Sequence, residues 1–112
     1  MTVTETFFSV EVTDLRRATT FYVASMGAEV MFASPSWTSL RIAGVRLGLF
    51  LHPPHEGGRV GLHFVVTDLA AALSEIEHSG GRVVTPAAEV APGVVVAEVE
   101  DTEGNAFTLR RA

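Results

Sequence analysis

Between Thr6 and Val12 apolar and polar positions alternate: Phe8, Val10 and Val12 fall on one face, and Phe7, Ser9 and Glu11 on the other. That is the period of a half-buried strand. At Thr13 and Asp14 the period changes. Leu15, Ala18, Tyr22 and Met26 recur at helical spacing, and Phe21 widens the apolar stripe. The pattern predicts a helix capped by Thr13 or Asp14, whose side-chain oxygen accepts from an unpaired amide of the first turn, and ended by Gly27. The same programme returns 54 residues later, where VEVTDL at Val10 to Leu15 is answered by FVVTDL at Phe64 to Leu69. There Leu62, Phe64 and Val66 form a strand face, Thr67 or Asp68 caps, Leu69, Ala72, Leu73 and Ile76 lie on the helix, and Gly80 with Gly81 ends it.

Strand-rich sequence follows each helix, at 29–33, 37–43 and 45–51 in the first half and at 82–85, 94–100 and 106–110 in the second. Turn residues separate these runs at Ser34 to Ser36, Gly44, Pro92 with Gly93, and Asp101 to Asn105. Each half reads β-α-β-β-β. A half alone buries too little surface to be stable, so residues 1–112 are expected to form one domain, with modules at 6–51 and 60–112 and a linker at 52–59. The expected class is α+β, two tandem βαβββ modules whose free sheet faces curve around a shared hollow, the ordinary place for a ligand.

Composition narrows the function. With 47% hydrophobic and 19% charged residues the chain has material for a core. All eight cationic residues are Arg and the net charge is −5, so no basic stripe is available to phosphates, and nucleic acid is excluded as a partner. No apolar run reaches the roughly 20 residues that span a bilayer, and no basic-then-hydrophobic leader precedes Phe7, so neither a membrane nor export is expected. The lack of cysteine removes disulfides and thiolate metal sites and agrees with a cytoplasmic location. Nucleophile-elbow and phosphate-loop motifs are missing.

The order V-x-V-T-D-L, a helix bearing Phe21-Tyr22, then MGAEV, followed by HFVVTDL, a second helix, GGRV and EDTEGNAFTL, resembles the vicinal oxygen chelate superfamily. That superfamily holds glyoxalase I, bleomycin-resistance proteins, fosfomycin-resistance enzymes and extradiol dioxygenases. The resemblance covers essentially the whole chain and implies a glyoxalase/bleomycin-resistance-like fold. It also implies a homodimer, with the groove completed within one chain or across two. In the metal enzymes of the superfamily the first-strand ligand stands seven residues before the Asp of the D-L pair, which here gives Phe7 and Gly61. The usual glutamate position falls on Thr108, and the last strand of the first half offers only Gly48, Leu49, Phe50 and Leu51. A divalent ion needs three or four nitrogen or oxygen donors converging at about 2 Å. The expectation is therefore no metal and no cofactor.

Strand parity nominates Phe7, Ser9, Glu11, Trp37, Ser39, Arg41, His63, Glu98, Thr108 and Arg110 for the concave face, and Leu40, Ile42, Phe64, Phe107 and Leu109 for the helix side. The expected ligand-binding set is Phe7, Ser9, Trp37, Arg41, His63, Glu98, Thr108 and Arg110. His63 and Glu98 are the candidate catalytic pair. His63 can serve as an acid, a base or a hydrogen-bond partner, or be satisfied by polar neighbours. Glu98 can pair with Arg41 or Arg110, the favoured alternative, or act as a desolvated base. Trp37 and Phe7 can stack on a planar ligand or simply fill space. His52 and His55 form an H-x-x-H, but the two prolines between them prevent a helix that would present both, so the pair is set aside. The leading expectation is a metal-independent small-molecule binding protein that sequesters an antibiotic or metabolite. The alternatives are a lyase or isomerase using His63 and Glu98 for proton transfer, and a metal enzyme with displaced ligands, His63 among them.

Overall fold

The computed structural model describes residues 1–54 and 57–112. Strand β1 (Phe8–Val12) leads into helix α1 (Leu15–Met26), followed by β2 (Glu29–Ala33), β3 (Trp37–Ile42) and β4 (Val45–Leu51). The second module repeats this with β5 (Gly58–Val66), α2 (Leu69–His78), β6 (Arg82–Ala91), β7 (Val94–Glu100) and β8 (Asn105–Arg111). Both helices start where the sequence places them. Asp14 accepts from the Arg17 amide at 2.9 Å and Asp68 from the Ala71 amide at 3.0 Å, which satisfies one otherwise unpaired donor in each first turn. Gly27 closes α1, and Ser79 with Gly80 closes α2.

Each module forms a four-stranded sheet, in the orders β1-β4-β3-β2 and β5-β8-β7-β6. The first and last strands of each module are parallel neighbours, and the helix with the two intervening strands makes the crossover that a parallel pair requires. The repeat extends to the register, since Val10 lies beside Leu49 and Phe64 beside Leu109. The α+β architecture of paired βαβββ modules is thus the observed one.

The two helices pack against each other and share one core with the inner sheet faces. Sheet one supplies Val10, Val12, Leu40, Leu47 and Leu49; sheet two supplies Ala97, Val99, Phe107 and Leu109; the helices add Ala18, Phe21, Tyr22, Leu69 and Ile76. Phe21 and Tyr22 are almost fully buried, each removing enough apolar surface to contribute about 1.5–3 kcal/mol. Tyr22 also carries a polar tip into the core, and its hydroxyl donates to Asp101 Oδ2 at 2.7 Å. Burial, and then the Asp101 charge, raise the Tyr22 pKa well above the usual phenol value, so the donor stays protonated.

A polar clasp also joins the modules. Glu103, whose side chain is wholly covered, accepts from the Thr13 and Asp14 amides at 3.0 and 3.1 Å and from the Thr13 hydroxyl at 3.1 Å, and Arg17 Nε reaches its other oxygen at 2.7 Å. Asn105 Nδ2 donates to the Glu11 carbonyl at 2.9 Å.

Several strand boundaries differ from the sequence reading: β3 stops at Ile42, β8 spans Asn105–Arg111, and three differences bear on the site. Gly58 and Arg59, expected in the linker, open β5, and a left-handed Gly61 interrupts its pairing with β8 before His63. Strand β6 runs on to Ala91 instead of stopping at Thr85, because it is an edge strand: Pro86 needs no partner on the open side, and the register slips between Thr85 and Ala88. Phe7, expected within the first strand, immediately precedes it. His55 lies outside the described residues, while His52, directly after β4, donates its amide to the Val12 carbonyl at 2.9 Å.

Candidate functional site

The open faces of the two sheets carry the residues that alternation assigns to them. On sheet one, Ser9 lies beside Gly48, Gly48 beside Ser39, and Phe50 between Glu11 and Trp37. Leu40, Leu47 and Leu49, the alternate positions, point into the core. On sheet two, His63, Thr108 and Glu98 stand abreast across β5, β8 and β7, with Arg110 one step further along between Val65 and Val96.

Sheet one carries an aromatic platform. The Phe7 and Trp37 rings meet edge to face with centroids 6.1 Å apart, and Phe50 lies 6.3 Å from Trp37 on the other side. Trp37 is fixed at its nitrogen, which donates to Ser39 Oγ at 2.8 Å, and at its ring, which lies over Gly48. A Cβ at position 48 would overlap the six-membered ring of the indole, so glycine there is a condition for this orientation. The Arg46 guanidinium sits 4.3 Å from the Phe7 ring centre and is held by Glu5 at 2.8 Å, a cation against the electron-rich ring face. Phe7 and Phe50 remain 42% and 43% exposed, so the platform faces outward with its indole anchored.

Sheet two is polar. His63 is exposed and Thr108 half-buried, and Arg110 is exposed. Glu98 is ion-paired, but with Arg59 and with neither Arg41 nor Arg110. This corrects the sequence expectation: β5 begins earlier than expected and carries Arg59 onto the open face beside Ala106. Arg41 stands between Glu29 and Arg46 in the ladders, and no ion pair to Arg41 or Arg110 is formed among the described residues. Sequence reasoning missed Arg46, Gly48, Phe50 and Arg59. Alternation along β4 could have found the first three, because Arg46, Gly48 and Phe50 interleave with the buried Leu47 and Leu49.

A cavity of 960 Å³ opens elsewhere, on the helix side, between the end of α1, the β3–β4 turn, β5 and the start of α2. Of the residues nominated for the concave face only His63 reaches it.

The chain is a pair of βαβββ modules with one aromatic and one polar open face. Residues 7–110 match the family model described as a glyoxalase-like domain, and the chain belongs to that family. Its fold is similar to a glyoxalase/bleomycin resistance protein from Albidiferax ferrireducens, at TM-score 0.75 and 19% identity over 98% of this chain and 99% of that one. It is also similar to a mutant of the fosfomycin resistance protein FosX from Listeria monocytogenes, complexed with Mn(II) and 1S,2S-dihydroxypropylphosphonic acid, at TM-score 0.82 and 19% identity over 98% and 90%. Lactoylglutathione lyase from Agrobacterium tumefaciens aligns at TM-score 0.75 and 17% identity over 99% and 96%. No curated protein matches the sequence.

A divalent ion does not fit the residues present at the corresponding positions. Phe7, Gly61 and Thr108 lack the required imidazole or carboxylate, and among the described residues no three of His, Asp and Glu converge. Among the same residues no helix is long and apolar enough to cross a membrane.

Proposed function

We propose that the protein binds a small molecule without a metal, on the open faces of its two modules, and sequesters an antibiotic or metabolite there as a homodimer in the cytoplasm. The supporting observation is the anchored, outward-facing platform of Phe7, Trp37 and Phe50. Exposed rings over a rigid floor offer stacking area at little cost in conformational freedom. Ser9 borders the platform, and Arg41 and Arg110 supply cationic anchors for a ligand carboxylate. His63, Glu98 and Thr108 orient its polar part where the homodimer brings the sheet-two face of one copy over the platform of the other. The proton-transfer reading draws on His63 and Glu98 sharing one row, but the Glu98 carboxylate is already engaged by Arg59, which favours orientation over catalysis. Dimerisation is supported by apolar side chains of β2 left uncovered in the single chain, Phe32 at 58%, Met31 at 49% and Val30 at 48% exposed.

Calorimetric titration of chelator-treated protein with bleomycin, fosfomycin and S-lactoylglutathione tests the reading. Saturable binding is expected for a compound with a planar ring system, lost in Trp37→Ala and weakened in His63→Ala. Binding only after metal is restored, or turnover that His63→Ala abolishes while affinity stays constant, would replace it with the metal-enzyme or proton-transfer alternative.

A further inference from the structure

The two modules meet at two corners that the repeat makes equivalent, and the sequence builds them differently. At the first, the β7–β8 turn lies on the β1–α1 junction, where Glu103 accepts from Thr13, Asp14 and Arg17, and Asp101 accepts from Tyr22. At the second, the β3–β4 turn faces the β5–α2 junction. The correspondence is set by the ladder registers and by the turns themselves, each of which passes through a left-handed glycine, Gly44 at φ 79° and Gly104 at φ 81°. Ala43 precedes Gly44 where Glu103 precedes Gly104. By the spacing of the repeat, Ala71 stands for Arg17, Ile76 for Tyr22, and Thr67 with Asp68 for Thr13 with Asp14. The β3–β4 turn is also one residue shorter between matching rungs.

These truncations coincide with the 960 Å³ cavity, which is lined by Ala43, Ala71 and Ile76 together with Thr67 and Asp68. Its volume is that of a small-molecule site, for which roughly 300–1,000 Å³ is usual. The walls are mainly apolar, with Leu62, Phe64 and Leu109 behind. The first corner shows what the second can hold. Glu103 Oε1 takes hydrogen bonds from the Thr13 amide and hydroxyl and from the Asp14 amide. At the second corner no side-chain acceptor among the described residues meets the amide of Thr67 or Asp68. Charge sets the remaining condition. The guanidinium that neutralises Glu103 has become the methyl of Ala71, and Asp68 and Glu75 line the cavity, where His63 is the one basic side chain among the described residues, so an anionic head is repelled.

We propose that this corner is a second ligand site, for an uncharged, mainly apolar molecule carrying a carbonyl-type acceptor that occupies the place Glu103 fills at the first corner. It lies on the helix side, away from the aromatic platform, and shares only His63 with the residues proposed for the open faces.

Amide NMR of the isotope-labelled full chain, titrated with methyl heptyl ketone, tests the site. Saturable shifts are expected at Thr67 and Asp68, with no change in Trp37 emission. Ala71→Leu and Ala24→Leu fill the cavity from opposite walls on exposed helix positions, and each is expected to weaken binding by roughly tenfold or more, with dispersed spectra confirming the fold. Absence of saturable shifts, shifts that survive in both variants, or tighter binding of nonanoate or nonylamine than of the ketone would overturn the proposal. So would shifts at these amides that follow protein concentration without ketone, which would assign the cavity to a second copy of the chain.

Discussion

At the scale of single residues, the open face depends on Gly48. Its missing side chain is what lets the Trp37 indole lie flat on β4 while Ser39 holds the ring nitrogen. Gly48→Ala is therefore expected to push Trp37 off the sheet. Overpacking of this kind costs about 1–3 kcal/mol, measurable as a lower denaturant midpoint. Trp37 is the only tryptophan, so its emission should move to longer wavelength as the ring enters solvent. Ligand affinity should fall roughly tenfold, equivalent to about 1.4 kcal/mol. An unchanged spectrum would mean that the indole does not rest on Gly48. The alternation that placed Trp37 on this face was legible in the sequence, but its floor was not read, because a glycine within a strand gives no sign of which ring crosses it.

At the scale of elements, the Glu103 clasp connects the start of α1 to the β7–β8 turn. Burial works to raise the Glu103 pKa, but hydrogen bonds from Arg17, Thr102 and the Thr13 and Asp14 amides outweigh it and leave the carboxyl at about 2, against an ordinary 4.5. A carboxyl depressed in the folded state contributes stability above its unfolded pKa and loses it as pH falls through the folded value. The clasp should thus act fully above about pH 4.5 and fade toward pH 2. Because Arg17 is half exposed, its share is discounted for screening, to at most about 1 kcal/mol. Glu103→Gln is expected to lower the denaturation midpoint at neutral pH, and the gap from the unmodified protein should close on acidification across that window. A gap independent of pH would show that the charge of Glu103 is not what matters.

Helix limits were readable because local chemistry sets them, through Asp14, Asp68 and the glycines that follow each helix. The start of β5 and the end of β6 were not, since Gly58 and Pro86 carry turn signals that pairing with β8 and β7 overrides. The Arg59–Glu98 pair went unread for the same reason. Tyr22 and Asp101 are joined only by the docking of the modules, 79 residues apart in the chain, and no local pattern announces such a contact.

At the scale of the molecule, a duplicated module gives two sheets whose inner faces share a core and whose outer faces have diverged, one aromatic and one polar. Counting back from Asp14 and Asp68 places Phe7 and Gly61, and counting on from Asp101 places Thr108, at the ligand positions that the family resemblance implies. The proposed binding surface lies on those outer faces, and the exposed Val30, Met31 and Phe32 support the proposed second copy. Sedimentation equilibrium should return twice the 11.9 kDa chain mass; a monomer at every concentration would remove dimerisation from the account. The central claim is that a planar ligand stacks on Trp37 without a metal. It is tested most directly by titrating the emission of this single tryptophan in chelator-treated protein with bleomycin. A saturable change is expected, unaltered when divalent ions are added back and shifted to roughly tenfold higher ligand concentration in Gly48→Ala. A response that appears only with a divalent ion, or none up to saturating ligand, would contradict it.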